Sequence, residues 1–221
     1  MTLARRVAAK GVGTVLLLAS VVGCGIMGER LAGGNVAVAL LANTLATGAA
    51  LAALILTFSS ISGAYFNPVV TLVDAWLGGK VWREVPWYVG AQVAGAFVGA
   101  AAAHLMFGQP LFAASQHTRV GAALLWSEFV ATFGLLIVIR GCARTRASAV
   151  PFAVASYIVA AYWFTASTSF ANPAVTLAQA FSDTFAGIRL LDAPGFILAQ
   201  LAGAGMATVF FRWLWPMLPT T

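Results

Sequence analysis

The chain has 221 residues, of which 61% are hydrophobic and 8% are charged, and its mean hydropathy is +0.92. This composition excludes a soluble globular fold, whose surface needs far more charged side chains, and it indicates a polytopic membrane protein. The formal net charge of +6 does not indicate a nucleic-acid partner, because the basic residues follow a membrane topology.

Six apolar stretches are long enough to cross a hydrocarbon core of ~30 Å as helices. They cover residues 7–27, 34–57, 85–107, 120–140, 148–167 and 193–216. Nine of the twelve basic residues fall on one side of these spans: Arg5, Arg6, Lys10, Lys80, Arg83, Arg140, Arg144, Arg146 and Arg212. Arg30, Arg119 and Arg189 fall on the other side. Because basic residues concentrate on the inner face, we expect a protein of the cell membrane with both termini in the cytoplasm.

One short motif occurs twice, between the second and third spans and again between the fifth and sixth. The copies, 105 positions apart, are Asn67, Pro68 and Val69, and Asn172, Pro173 and Ala174. Asn is a preferred N-cap and proline is favoured at the first helical position, so each copy predicts the start of a helix. About ten mostly apolar residues follow, which cross only about half of the hydrocarbon core. Both helices are therefore predicted to be re-entrant half-helices.

The repeat extends over the whole chain, because each half reads span, span, half-helix, span. Gln92 matches Gln200, and Lys10 matches Glu128. Three spans per half is an odd number, so the halves must insert in opposite orientations, and the half-helices meet near the membrane midplane. We therefore predict a single all-α membrane domain over residues 1–221, built from inverted repeats of approximately residues 1–110 and 118–221.

The paired Asn-Pro motifs, with the contexts of Gln92, Glu128 and Gln200, resemble the aquaporin (major intrinsic protein) family. The resemblance implies six tilted helices and two half-helices, assembled as a homotetramer in which each subunit has its own pore and no cofactor. It also implies that Asn67 and Asn172 donate amide hydrogen bonds to solutes at the pore midplane, where the helix ends repel cations. Glu128 is implied to support the second re-entrant loop.

The family's selectivity filter can be located by counting from the two Asn residues. The four positions are Thr47, Ala160, Ser169 and Val175. The resemblance implies an Arg at the last position in water-selective and glycerol-conducting members, whereas a bacterial branch associated with arsenic detoxification has Val there, as this chain does. With no Arg and no aromatic residue at any position, we predict a wide, neutral filter. Such a filter passes water and small uncharged solutes, including arsenous acid, glycerol-like polyols and urea.

Two further positions differ from the family pattern. Tyr65 stands where the family often has His, and it either narrows the cytoplasmic mouth or anchors at the membrane interface. Lys10 stands where the family usually has Glu, and we expect its long side chain to snorkel to the cytoplasmic surface.

Two other functions remain as alternatives: a channel that conducts mainly water, and an alternating-access carrier. Carriers also use inverted repeats and broken helices, but Lys10 and Glu128 are too few ionisable groups to couple an ion gradient. An enzyme is not indicated, since His104 and His117 stand alone and the sequence has no nucleophile–base pair.

Overall fold

A computed structural model describes residues 1–215, which form eight α-helices and two short 3-10 turns. The helices are α1 (Leu3–Leu31), α2 (Val36–Ser62), α3 (Pro68–Trp76), α4 (Val85–Phe107), α5 (Ala122–Thr145), α6 (Val150–Phe164), α7 (Pro173–Gln179) and α8 (Ala193–Leu214). All except α3 and α7 are long and apolar enough to cross a membrane, if α4 and α6 are each counted with the 3-10 turn that precedes them (Trp82–Phe107 and Ala147–Phe164). The prediction of six spans and two half-helices is therefore confirmed. Residue 216, the last of the sixth predicted span, lies outside the described residues.

The helix packing repeats between the two halves. In the first half α1 packs along α4 and α2, and in the second half α5 packs along α8 and α6. Across the halves, α2 packs on α6, while the half-helices α3 and α7 pack on α8 and α4 respectively. Each half-helix is thus held by a long helix of the other half, which fixes the two half-helices relative to each other.

Small residues allow the long helices to approach closely at two matching places. A Cβ atom added at Gly95 on α4 would collide with the main-chain carbonyl of Gly11 on α1. At Gly203 on α8 it would collide with the carbonyl of Phe129 on α5. Small residues at four-residue spacing on α4 and α8 allow this close approach of the helix backbones.

Candidate functional site

A cavity of about 310 Å³ lies between the two halves. Matching residues of the two repeats line it on α1 and α5: Leu17 and Leu135, and Val21 and Ile139. Both Asn residues of the repeated motif, Asn67 and Asn172, also line it. The wall is therefore mostly apolar, with amide groups where the two half-helices meet.

Each Asn caps its own half-helix, as the motif predicts. The side-chain oxygen of Asn67 accepts a hydrogen bond from the Val69 N–H at 3.1 Å. That of Asn172 accepts from the N–H groups of Ala174 and Val175 at 3.0 and 3.4 Å. Capping turns both amide nitrogens away from their own helices and toward the opposite half.

The two amide nitrogens join the halves. Nδ2 of Asn67 donates to the Ala171 carbonyl at 2.7 Å, and Nδ2 of Asn172 donates to the Phe66 carbonyl at 2.9 Å. An amide nitrogen carries two hydrogens, so each Asn retains a second N–H that a solute in the cavity can accept. The helix N-termini behind them add a positive electrostatic potential at the same place.

Glu128 supports the second re-entrant loop from beneath. It is fully buried, and its carboxylate accepts hydrogen bonds from the main-chain N–H groups of Phe170 and Ala171 at 2.9 and 2.8 Å. Ser167 and Gln200 donate to it at 2.6 and 2.7 Å. Four donors thus occupy the two carboxylate oxygens, which accounts for the presence of an acidic group deep within the helices.

Lys10 supports the first re-entrant loop with the opposite chemistry. It is fully buried, and its ammonium group donates to the main-chain carbonyl of Tyr65 at 3.0 Å; Gln92 donates to the same carbonyl. The expectation that Lys10 snorkels to the surface is wrong, because this carbonyl and the rings of Tyr65 and Tyr88, 4.8 and 5.1 Å from Nζ, hold it inside.

The need for support follows from the backbone of the two loops. Ala64 and its repeat partner Ser169 both have left-handed conformations, with φ of 49° and 53°. A residue other than glycine pays roughly 1–2 kcal/mol for this conformation, so other contacts must hold it in place. Lys10 and Glu128 supply these contacts, one by donating to a carbonyl and the other by accepting from N–H groups.

Tyr65 lies on the cavity wall, at the end where the first re-entrant loop enters. The ammonium group of Lys80, like that of Lys10, lies near the Tyr65 ring, at 5.7 Å from the ring centroid. Lys80 and Arg140 both approach the carboxylate of Asp74, at 3.6 and 3.8 Å. This end of the cavity is therefore surrounded by cationic side chains.

Three of the four counted filter positions line the cavity: Thr47, Ser169 and Val175. Ala160 does not, because it is exposed on the outer surface in a shallow groove between α2 and α6. The prediction for Ala160 is wrong at this level, since its helix turns another face to the cavity.

Tyr162, two residues beyond Ala160 on α6, lines the cavity where Ala160 does not. The residues of α6 that line the cavity are spaced by four: Val150, Val154, Ile158 and Tyr162. This spacing is that of one helix face. Val150, Val154 and Ile158 are apolar residues at four-residue spacing, and continuing that spacing in the sequence leads to Tyr162. This periodicity is the signal that could have predicted Tyr162 on the cavity wall.

Arg119 also lines the cavity, although no counted position pointed to it. It belongs to the inter-repeat loop (residues 108–121), which joins α4 to α5. Burial lowers the pKa of its guanidinium from the ordinary value, but arginine remains charged at neutral pH. The sequence predicted a neutral filter from four counted positions, and the cavity is also lined by this cationic side chain from a distant part of the sequence.

The profile of the family described as "Major intrinsic protein" matches residues 1–149. Aquaglyceroporin AqpS of Rhizobium meliloti (strain 1021) is 52% identical over 212 residues, which cover 96% of this chain and 91% of that protein. Aquaporin NIP6-1 of Arabidopsis thaliana is 30% identical over 217 residues, which cover 95% of this chain and 70% of that protein. The chain belongs to the major intrinsic protein family.

The fold is shared with solved structures of the family. The X-ray structure of the aquaglyceroporin from Plasmodium falciparum superimposes with a TM-score of 0.76 at 19% identity, covering 95% of this chain and 96% of that one. Major intrinsic proteins are channels and not enzymes. This chain is accordingly a multi-pass membrane channel for small neutral solutes and water, as the repeated motif predicted.

We expect Asn172→Asp to weaken cation exclusion by this major intrinsic protein more than it weakens water passage. A carboxylate keeps the capping oxygen for Ala174 and Val175 but loses the N–H given to Phe66, and it offsets the positive helix end. Sodium flux into proteoliposomes, divided by osmotic water permeability, should rise. Asn35→Asp is the matched control, because Asn35 caps α2 in the same way at an exposed position. An equal sodium-to-water ratio in the two variants would contradict a pore location for Asn172.

Proposed function

We propose that this channel conducts metalloid hydroxides such as arsenous acid, glycerol-like polyols and urea together with water. Thr47, Ser169 and Val175 form part of its selectivity filter. The chain acts as one channel domain in a homotetramer of the cell membrane, with both termini in the cytoplasm.

Val175 is the observation that carries this proposal. It is buried on the cavity wall at the counted position where selective members of the family have Arg. A valine side chain is much shorter than an arginine side chain and offers no hydrogen-bond donor, so it leaves room for solutes larger than water. The related protein from Rhizobium meliloti carries the name aquaglyceroporin, which supports the same solute class.

Two hydroxyl groups near Val175 suit solutes that carry several hydroxyls themselves. Thr47 lines the cavity, and its hydroxyl donates to Asn43 Oδ1 at 3.2 Å and lies 3.8 Å from the Cys24 thiol. Ser169 Oγ has no hydrogen-bond partner among residues 1–215. A polyol or a metalloid hydroxide can exchange hydrogen bonds with the few polar groups of this wall, whereas an ion would lose its hydration shell against the apolar remainder of the wall.

The distribution of exposed residues supports the assembly and the orientation. Large apolar side chains cover the outer faces of the long helices, as lipid or subunit contact requires: among them are Leu45, Leu56, Val98, Phe152 and Trp213. The end of the bundle with Lys10 and Lys80 also carries most of the basic residues of the sequence. By the inner-face preference of such residues, this end faces the cytoplasm.

The test is a panel of flux measurements on proteoliposomes of the purified channel. Stopped-flow light scattering gives the permeability to water, glycerol and urea, and uptake assays give that to arsenous acid. We expect all four to exceed empty liposomes, with a linear dependence on concentration and low sodium conductance. Water flux without the larger solutes would favour the mainly water-conducting alternative. Saturable flux with a steep temperature dependence would favour a carrier.

A further inference from the structure

We propose that Arg119 of the inter-repeat loop sets the cation barrier of this channel and donates a hydrogen bond to neutral solutes. It supplies from a loop the guanidinium group that is absent at Val175. This inference rests on the channel function and concerns the same cavity, but its central measurement is cation leak rather than the choice of neutral solute.

The side chain of Arg119 is held in a fixed place against the loop that carries the second half-helix. Nε donates to the Gly187 carbonyl at 2.8 Å, and Nη1 donates to the Ser167 carbonyl at 3.1 Å. The guanidinium carbon lies 4.8 Å from the centroid of the Phe170 ring. The main-chain N–H of Arg119 donates to Asp192 Oδ2 at 2.9 Å, which anchors the loop itself. These contacts therefore hold the charged guanidinium group in one position on the cavity wall.

No carboxylate within residues 1–215 forms an ion pair with this guanidinium. Asp192 is nearby, but one of its oxygens accepts from the Arg119 main chain and the other pairs with Arg189 at 2.8 Å. The Glu128 carboxylate is occupied by the main-chain N–H groups of Phe170 and Ala171 and by two side-chain donors. The charge of Glu128 still reaches Arg119, but Glu128 is beyond ion-pair distance and does not line the cavity, whereas Arg119 does. The guanidinium is therefore the nearer of the two charges to an entering cation, and it repels that cation.

One nitrogen of Arg119 remains free to bind solute. Nε and Nη1 are both engaged, the latter also approaching Thr168 Oγ1 at 3.5 Å, whereas Nη2 has no partner among residues 1–215. Nη2 carries two N–H donors, which suit the oxygen of water, a polyol or a metalloid hydroxide. Because the guanidinium enters from the loop wall, the small side chain of Val175 still leaves space on its own wall. This arrangement combines cation exclusion with passage of the larger neutral solutes.

The first experiment compares Arg119→Met and Arg119→Lys in proteoliposomes of the full chain. Arg119→Met removes the charge at similar length, and we expect sodium and potassium conductance to rise roughly tenfold, while water permeability changes by a much smaller factor and stays well above that of empty liposomes. Arg119→Lys keeps the charge and should keep the leak low. Arg30→Met is the matched control, because it removes one exposed cationic side chain outside the cavity. An unchanged cation conductance in Arg119→Met, at normal water flux, would overturn the proposal.

A second experiment separates the charge from any structural role of the side chain. Arg119→Cys, in a background with Cys24→Ala and Cys142→Ala, is treated with a cationic aminoethyl methanethiosulfonate or with its uncharged hydroxyethyl analogue. We expect only the cationic reagent to restore low cation conductance. Equal effects of the two reagents, or no effect of either on a leaky and folded variant, would mean that the charge at position 119 is not the barrier.

These measurements also keep the two proposals apart. A channel that passes water but no glycerol or arsenous acid contradicts the proposed solutes, yet its cation leak still tests Arg119. A channel that passes all solutes and shows no increased leak in Arg119→Met contradicts the role of Arg119 alone.

Discussion

Val175→Arg should convert this channel toward water selectivity, with glycerol and arsenous acid permeability falling roughly tenfold or more, equivalent to a barrier increase of about 1.4 kcal/mol. The new side chain would extend into the cavity that Val175 now lines beside Thr47 and Ser169. It would also bring a second guanidinium to a cavity that already contains Arg119. Water needs less space and can accept from the added donors, so its permeability should fall less.

The control for Val175→Arg is Val175→Met, which adds length without charge. We expect Val175→Met to reduce the permeability to the larger solutes only moderately and to leave cation conductance unchanged. Stopped-flow permeabilities of both variants, normalised to the amount of folded protein, give the ratio of glycerol to water. A normal ratio with robust flux in Val175→Arg would mean that Val175 does not line the constriction. Equal losses of both solutes would indicate a blocked or misfolded pore.

Glu128→Leu should destabilise the channel by about 3–5 kcal/mol, because a buried acceptor of four hydrogen bonds disappears while its donors stay buried. The main-chain N–H groups of Phe170 and Ala171 would lose their partners. Since the neighbouring Ser169 has a left-handed backbone, the loop needs such contacts to keep its shape. We expect a lower melting temperature in detergent and loss of water permeability in proteoliposomes.

Glu29→Leu is the matched control for this change, because Glu29 is exposed near the end of α1. We expect the free energy of unfolding of Glu29→Leu to lie within about 0.5 kcal/mol of that of the unmodified protein, as is usual for surface substitutions. The stability of Glu128→Gln should lie between those of Glu128→Leu and Glu29→Leu, since glutamine keeps one carbonyl oxygen as an acceptor but places an NH2 group opposite other donors. Equal stability of Glu128→Leu and Glu29→Leu would show that the loop does not depend on this carboxylate.

The local features of the fold were predictable because they depend on short stretches of sequence. Hydrophobic length alone located the long helices, and an Asn followed by a Pro located both half-helices at their first residue, Pro68 and Pro173. The fifth span was predicted to end three residues too late, since residues 148–167 are apolar but the helix ends at Phe164. From Thr165 onward the chain is extended and then left-handed, which hydropathy does not report.

The lining of the cavity was predictable in part. Counting back and forward from the Asn residues gave Thr47, Ser169 and Val175, and all three line the cavity. It failed at Ala160, because counting across a loop assumes one loop length, and a shift of two residues turns an α-helix by more than half a turn. Tyr162 then replaces a methyl group by an aromatic ring on the cavity wall.

The sequence by itself determined the membrane class, the inverted repeat and the two half-helices, since hydropathy, N-caps and repeated spacing are local properties of the chain. Only the tertiary structure decided that Lys10 is buried against the Tyr65 carbonyl and that Arg119 enters the pore. The physical reason is that both roles depend on partners more than 40 positions away, Tyr65 for Lys10 and Ser167 and Gly187 for Arg119. A charged side chain does not reveal in sequence which distant carbonyls will receive it, and packing of the helices makes that choice.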